Sequence, residues 1–545
     1  MRLSLLLLIT LPIAPLPIMF AEAADASLDW TSIQRRNEAC LSFNLQSSAT
    51  LEKSNHKVFA HYMLNFPLSI DNKELSDPTE YYTHGFLNPL GEKGKHLSYG
   101  GWVRSRPLAV SSSSSAIFQV QNYEREVRLA LAIGIDGFSV DIGSTSALAR
   151  VLTLLVAIRD VNNEVGAHFT VLPVIDVAGF RNDPNNQQDI LKVLETLRSD
   201  PNVARLSDGR LAFSSFLANG IAAATWSSIL SALQSDEDGK YPAFIPIFLS
   251  LGDYNTANSS TRSFDKISYM ISLWGTRTPN GAAELQPVTA TFHAKGLAFM
   301  MPVAPQDFRP YGRSFWETQN SLTFRTFWKS AIESGADWVQ LVTWNDFAEN
   351  TQVSPAFGTQ FGFYDLAAYY IAQFKGAPTP IVKDSVQLFF RNQIVGPGGP
   401  SPVPQQTTFR LIASDHGPSN LVEALVYAGS NDFKPGRPHP QLALTVGGST
   451  NRAAVTAFSV PSAGLTSFTV PLAPGVVSVS LVVGETATVG FAAPMAVQSS
   501  VLFQNFLYQS SSATQGSGSV DCGYPGQASY QRVVDALYQS AVPGN

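Results

Sequence analysis

Residues 343–350 read Thr343-Trp344-Asn345-Asp346-Phe347-Ala348-Glu349-Asn350, which sets two carboxylates, Asp346 and Glu349, three positions apart beside an indole. Cleavage of a sugar–sugar bond calls for such a pair. One carboxyl must be protonated to assist the departing oxygen; the other must be ionised, to activate water or to attack the sugar carbon. The segment is irregular, so spacing alone leaves the carboxyl separation open, and with it the stereochemical outcome. A solvated loop is the plain alternative reading of the same pair.

The pair directly follows an apolar stretch, Asp337-Trp338-Val339-Gln340-Leu341-Val342, that reads as a strand. Seven similar stretches precede it, at 57–64, 137–141, 170–177, 211–216, 244–249, 269–273 and 297–303. Each is short, mostly apolar and closed by Gly, Pro, Asn or Asp, as strands buried on both faces are. Helical patterns lie between and after them, near 124–133, 144–161, 187–198, 226–234, 282–294, 315–334 and 366–374; the connection 255–266 is only weakly helical. This alternation predicts a (β/α)8 TIM barrel over residues 57–380. An open doubly wound sheet would show a Gly-rich turn after its first strand, where His61-Tyr62-Met63-Leu64-Asn65 stands instead.

A TIM barrel keeps its chemistry at the C-terminal ends of its strands. The polar residues there are His61, Tyr62 and Asn65, then Asp141, Asp176, Ser214, Ser215, Trp274, Gln306 and Asp307, and finally Trp344, Asn345 and the carboxylate pair. Of these, His61, Tyr62, Asp141, Asp176, Trp274, Trp344 and Asn345 are expected to contact a sugar, because indole faces pack on pyranose C–H faces and hydroxyls need many polar partners. Duller roles compete. Asp141 also suits a helix N-cap, Asp176 a place behind the site, His61 a satisfied core histidine, and the two indoles core packing. Asp136 is expected to support its turn.

Lys375-Gly376-Ala377-Pro378-Thr379-Pro380 ends the alternation. Beyond it short strands, at 385–391, 408–413, 423–427, 441–446, 453–460, 467–470, 476–483 and 486–491, predict an all-β sandwich over 381–508. Phe389, Phe390, Tyr427 and Phe433 there are candidates for a polysaccharide-binding face, with core packing as the alternative. Residues 509–545 read as a Ser/Gly-rich linker and tail ending in a short helix.

Residues 1–23 carry the marks of a cleaved export signal: Arg2, an apolar run to Phe20, and Ala21-Glu22-Ala23. Prolines at 12, 15 and 17 argue against a spanning anchor. A polar lead, 24–56, follows. Secretion, to the medium or a cell wall, is therefore expected, with no membrane attachment after cleavage. The two cysteines, Cys40 and Cys522, either pair as one disulfide in an oxidising compartment or stay free thiols. A sequon, Asn258-Ser259-Ser260, suits a surface loop. A net charge of −6, with no basic stripe, excludes a nucleic-acid partner. A monomer is the default expectation.

Five segments together resemble the α-1,3-glucanases of glycoside hydrolase family 71, the mutanases, over most of 57–375. They are Lys57-Val58-Phe59-Ala60-His61-Tyr62-Met63; His96-Leu97-Ser98-Tyr99-Gly100-Gly101-Trp102 with Arg106-Pro107-Leu108; Ile135-Asp136-Gly137-Phe138-Ser139-Val140-Asp141; Phe299-Met300-Met301-Pro302-Val303-Ala304-Pro305; and the run 343–350. The resemblance implies endo-type hydrolysis of α-1,3-glucan with inversion, with neither metal nor cofactor, and puts the catalytic pair on Asp346 and Glu349. Glu349 is expected as the acid and Asp346 as the base. Phe347-Ala348-Glu349-Asn350 stands where the family has Tyr-Gly-Glu-Ser. Gln306-Asp307-Phe308 replaces expected aromatics, and Phe216-Leu217-Ala218 an expected acid. Two other functions compete: hydrolysis of another α-linked glycan, such as mannan, and non-catalytic polysaccharide binding.

Overall fold

The structure is a computed structural model, and describes residues 29–68, 70, 81–108, 110, 115–234, 239–258, 263–401, 405, 408–447, 454–518, 520, 522–523 and 527–541. The expected export signal and Ser259-Ser260 of the sequon lie outside them. No helix among the described residues is long and apolar enough to cross a membrane.

All eight expected barrel strands form: β1 (Lys57–Tyr62), β2 (Gly137–Ile142), β3 (Thr170–Asp176), β4 (Ala212–Phe216), β5 (Ala243–Phe248), β6 (Met270–Leu273) and β7 (Ala298–Val303), then, after a short hairpin of β8 (Phe308–Arg309) and β9 (Ser314–Phe315), β10 (Trp338–Leu341). They close in the order β1-β10-β7-β6-β5-β4-β3-β2, all parallel within the barrel. Strand side chains alternate between faces. Phe59, Leu172, Ile245, Met300 and Trp338 therefore meet in an inner cluster, while Val58, Val140, Ile175 and Leu341 pack outward on the helices. At the closed end Asp136 accepts from Val58 N (2.7 Å) and pairs with Lys375 (2.7 Å), supporting its turn as expected.

Four expectations give way. The helix expected from 315 begins at Leu322, because Pro310 and Gly312 turn the chain into the β8–β9 hairpin. The strand expected at 408–413 shrinks to β12 (Arg410–Leu411) and joins that hairpin, parallel to β9, rather than the sandwich. The polar lead contains a helix, Trp30–Cys40, that docks through Ile33 and an Arg36–Asp365 ion pair and is tied to the tail by a Cys40–Cys522 disulfide. The Ser-rich segment read as a linker is a strand.

That strand, β19 (Tyr508–Thr514), pairs with β11 (Ser385–Arg391). The remaining strands are β13 (Leu421–Ala428), β14 (Gln441–Val446), β15 (Ala454–Ser459), β16 (Gly464–Pro471), β17 (Val477–Val483) and β18 (Thr486–Ala492). They form two four-stranded sheets, β16-β13-β11-β19 and β15-β14-β17-β18. In the first, β13, β11 and β19 are buried on both faces, while the edge strand β16 is mostly half-buried or exposed. Val386, Leu388 and Phe390 face the sandwich core, whereas Phe389 packs on Phe363 and Tyr427 on Tyr369 of the last barrel helix, Gly362–Phe374. Those aromatics form no binding face; Phe433 packs against His439. Serines suit β19 because the barrel comes so close: Ser510 Oγ donates to Thr359 O, and a Cβ on Gly362 would meet Ser510 Oγ at 2.0 Å.

A buried carboxylate seals the interface. Glu317 accepts from Arg391 Nη1 (2.8 Å), Tyr508 Oη (2.6 Å), Ser419 N (2.9 Å) and Gln319 N (2.8 Å). Removing it strands a buried guanidinium. Glu317→Ala should therefore destabilise the protein by about 3–5 kcal/mol, read as a fall in thermal midpoint; an unchanged midpoint would show that the sheet docks without this network.

Candidate active site

Strand parity decides which residues reach the mouth of the barrel. On β1, Phe59 and His61 point inward, so Tyr62 must point outward. It is fully buried there, donating to Glu126 (2.7 Å) and packing on Phe138. On β2 the same alternation sends Ser139 and Asp141 inward. Ser139 accepts from Gln340 of β10 (2.7 Å) past the intervening β1, one layer beneath Asp141.

Past β10 the chain closes a loop on itself. Thr343 N donates to Thr351 O (2.9 Å), Val353 N to Thr343 O (2.9 Å), and Thr343 Oγ1 accepts from Asp346 N (2.8 Å). Asn345 holds that loop to the end of β1. Its amide donates to Met63 O (3.1 Å) and Phe66 O (2.7 Å), and its oxygen accepts from Met63 N (2.8 Å). Trp344 is fully buried against Phe138. Tyr62, Trp344 and Asn345 are thus set into the framework rather than brought to the cavity, which corrects the expectation that they touch sugar.

The cavity itself, of about 630 Å³, receives His61, Asp141, Asp176, Trp274, Asp346 and Glu349. Asp141 caps no helix: the turn after β2 starts at Ser144, without a side-chain cap. Asp176 does both jobs, lining the cavity while accepting from Ala178 N (2.9 Å). His61 lies with Nε2 3.8 Å from an Asp141 oxygen and its ring edge-on to Trp274 at 4.8 Å. Burial pushes its pKa down to about 3, so the imidazole is neutral.

Sequence reasoning missed the cations. Arg309, on the β8–β9 hairpin, forks onto Asp307 at 2.7 and 2.6 Å and also touches Glu349 at 2.9 Å. Arg277 Nε lies 3.6 Å from the same Asp307. A two-residue offset between Asp307 and Arg309 on a hairpin was the available signal, since strand alternation sets both on one face. The walls also take Phe216, Trp316 and, from the second domain, Ile412. The hairpin is pinned to the carboxylate loop: Phe308 N donates to Glu349 O (2.8 Å) and Asn350 Nδ2 to Phe308 O (2.7 Å).

These surroundings sort the carboxyls. Asp346 Oδ1 accepts from Ala348 N (2.9 Å) and Glu349 N (3.0 Å), bonds that favour its ionised form; burial outweighs them and lifts its pKa to about 6. Burial, then the charge of Asp346, lifts Glu349 to about 8 against the pull of Arg309. Burial, with Asp176 and Asp346 nearby, lifts Asp141 to about 8 as well. Near neutral pH the site therefore offers a carboxylate beside a carboxylic acid, which is an arrangement for general acid–base chemistry.

A barrel carrying such a site is built for general acid–base chemistry at its strand ends. The chain matches the model of glycosyl hydrolase family 71 over residues 110–521, and it belongs to that family. No curated protein matches it. Among solved structures it is similar to the GH99 endo-alpha-mannosidase from Bacteroides thetaiotaomicron, at 19% identity over 59% of this chain and 98% of that one, with a TM-score of 0.44. The same mannosidase in complex with BIS-TRIS-propane gives 0.42. A glycosyl hydrolase family 2 member from Bacteroides cellulosilyticus gives 0.35, at 9% identity over 70% of this chain and 44% of that one.

Because Arg309 is the cation nearest Glu349, Arg309→Ala should raise the titration of the Glu349 carboxyl by about one unit or more. Carboxylate NMR during a pH titration reads this directly. An unmoved midpoint would mean that the ion pair does not bear on the protonation of Glu349.

Proposed function

We propose that this protein is a secreted endo-acting α-1,3-glucanase that inverts the anomeric centre. Glu349 serves as general acid and Asp346 as general base. The observation that carries the reading is the unequal environment of these neighbouring carboxyls on one cavity wall. Asp346, with two backbone donors, gives up its proton first and activates water; Glu349, lifted further by burial and by that charge, keeps its proton for the leaving oxygen. Family membership supports the glycan class. The linkage, the endo action and the inversion rest on the likeness of the five segments to mutanases. His61, Asp141, Asp176 and Trp274 line the subsite around the cleaved bond. The Cys40–Cys522 disulfide supports an oxidising, extracellular setting.

A second assignment has one observation in its favour. Asp141, also lifted to about 8, faces the same cavity within electrostatic reach of Asp346, and could be the acid instead.

Incubation with insoluble α-1,3-glucan tests the reading. Asp346→Asn and Glu349→Gln should each lower turnover by about 10²–10⁴-fold, and proton NMR should show the β-anomer released first. Wild-type turnover in Glu349→Gln together with loss in Asp141→Asn would transfer the acid role to Asp141. Release of sugar from α-mannan but not α-1,3-glucan would overturn the linkage.

The pH profile is a separate check. The base must be ionised and the acid protonated, so kcat/KM should rise through about 6, fall through about 8, and peak between them. Activity that keeps climbing past pH 9 would contradict this division of roles.

A further inference from the structure

A second cavity, of about 430 Å³, opens beside the catalytic one. The chain leaving β1 runs between them: Met63 lines the first, while Leu64, Asn65 and Phe66 line the second. Both volumes fall in the range of about 300–1,000 Å³ that ligand pockets occupy. The second cavity mixes aromatic rings, Phe86 and Trp102, with hydroxyl-bonding groups, among them Asn65, Gln119, Glu92 and Arg150.

The rings continue beyond it. Phe86 and Trp102 have centroids 5.8 Å apart at an interplanar angle of 34°; Trp102 and Tyr311 are 5.9 Å apart at 31°. Tyr311 is 43% exposed and caps the β8–β9 hairpin, whose Arg309 and Ser314 line the catalytic cavity. A strip of three gently tilted rings thus leads from one cavity to the other. Partial burial, followed by the charges of Glu349 and Asp346, raises the Tyr311 hydroxyl above the ordinary phenol range, so the near end of the strip lies within electrostatic reach of the carboxylates.

We propose that this strip and the second cavity form a distal subsite for an α-glucan chain, several sugar units long, that lies across the barrel mouth while it is cleaved in the first cavity. Aromatic faces pack on pyranose C–H faces, and amides and charged groups alongside bond the hydroxyls. Nothing in the carboxylate chemistry needs Trp102 or Tyr311, yet Trp102 lines the second cavity and Tyr311 sits on the hairpin that walls the first. The inference rests on the glycan reading above and adds to it the place where chain length is sensed.

The test uses wild type, Tyr311→Ala, Trp102→Leu and the double variant on a ladder of α-1,3-gluco-oligosaccharides, alongside sedimentation with insoluble α-1,3-glucan. Expected is a fall in kcat/KM of roughly tenfold per ring on the longest substrates, carried by KM, with the shortest cleavable substrates unaffected. Intact turnover of those short substrates excludes misfolding. Sedimentation should weaken in the same order. Equal loss on all lengths, or no loss on the longest, overturns the distal subsite and leaves the hydrolase reading standing. If wild type binds insoluble glucan without cleaving any oligosaccharide, and the variants bind less, the hydrolase reading falls and the subsite stands. If wild type neither binds nor cleaves, both fall.

Discussion

Five carboxyls and two guanidiniums line one cavity whose walls are mostly buried, and that imbalance governs the site. Like charges in a poorly solvated space cannot all ionise. Asp307 takes most of the available cation, through the Arg309 fork and the nearby Arg277. Glu349 gets only one remaining contact with Arg309, and Asp141 has a neutral imidazole for company. Asp346 is served instead by two backbone N–H groups. Protons are thereby allotted by position: Asp346 ionises most easily of the three, and Glu349 and Asp141 hold theirs longer.

Such an allotment requires side chains that cannot drift, and the fold supplies the restraint in layers. Parallel strands fix His61, Asp141 and Asp176 by parity alone. The carboxylate loop is held at its base by Thr343 and Thr351, and to β1 by the three hydrogen bonds of Asn345. The cationic hairpin stands outside the barrel sheet and is held twice over. Asn350 and the Glu349 carbonyl pin its first strand, and the second domain pins its second through β12. At its root Gln306 exchanges hydrogen bonds with the backbone of Tyr508 in β19.

How much of this could be read beforehand follows from the range of the interactions involved. Barrel strands were legible because each is apolar over its length and closed by turn residues, a local signal. His61, Asp141, Asp176, Trp274, Asp346 and Glu349 were legible as strand-end residues, and the structure gathers them on one cavity. Tyr62 leaves the cavity by strand alternation: a neighbour of an inward His61 has to face outward, where it is fully buried. Asn345 and Trp344 sit in the motif, yet both N–H donors of the Asn345 amide are spent on backbone carbonyls, its oxygen holds Met63 N, and neither residue lines the cavity. β19 was illegible for a different reason. Its serines are demanded by the barrel surface at Gly362, a contact between residues 148 positions apart that composition reads as a linker. The same holds for β12 and Ile412, whose places depend on docking between domains.

The departures from the family motif make sense on those terms. Phe347 is fully buried and packs edge-on to Phe66 and Tyr82, so a ring without a hydroxyl suits a site with no need of one. Ala348 is absent from the positive-φ residues, so a glycine's freedom is not required there. The left-handed position falls instead at Asn350, with φ 52°, a conformation asparagine tolerates better than most residues. That same side chain reaches the hairpin at Phe308 O. The altered motif thus couples the loop carrying Asp346 and Glu349 to the hairpin carrying Asp307 and Arg309. Coupling of that kind matters because the Arg309–Glu349 distance sets how strongly the cation opposes protonation of Glu349. A hairpin steadied from the carboxylate loop on one side and from the β-domain on the other keeps that distance, and so the protonation of the site, under the control of both domains.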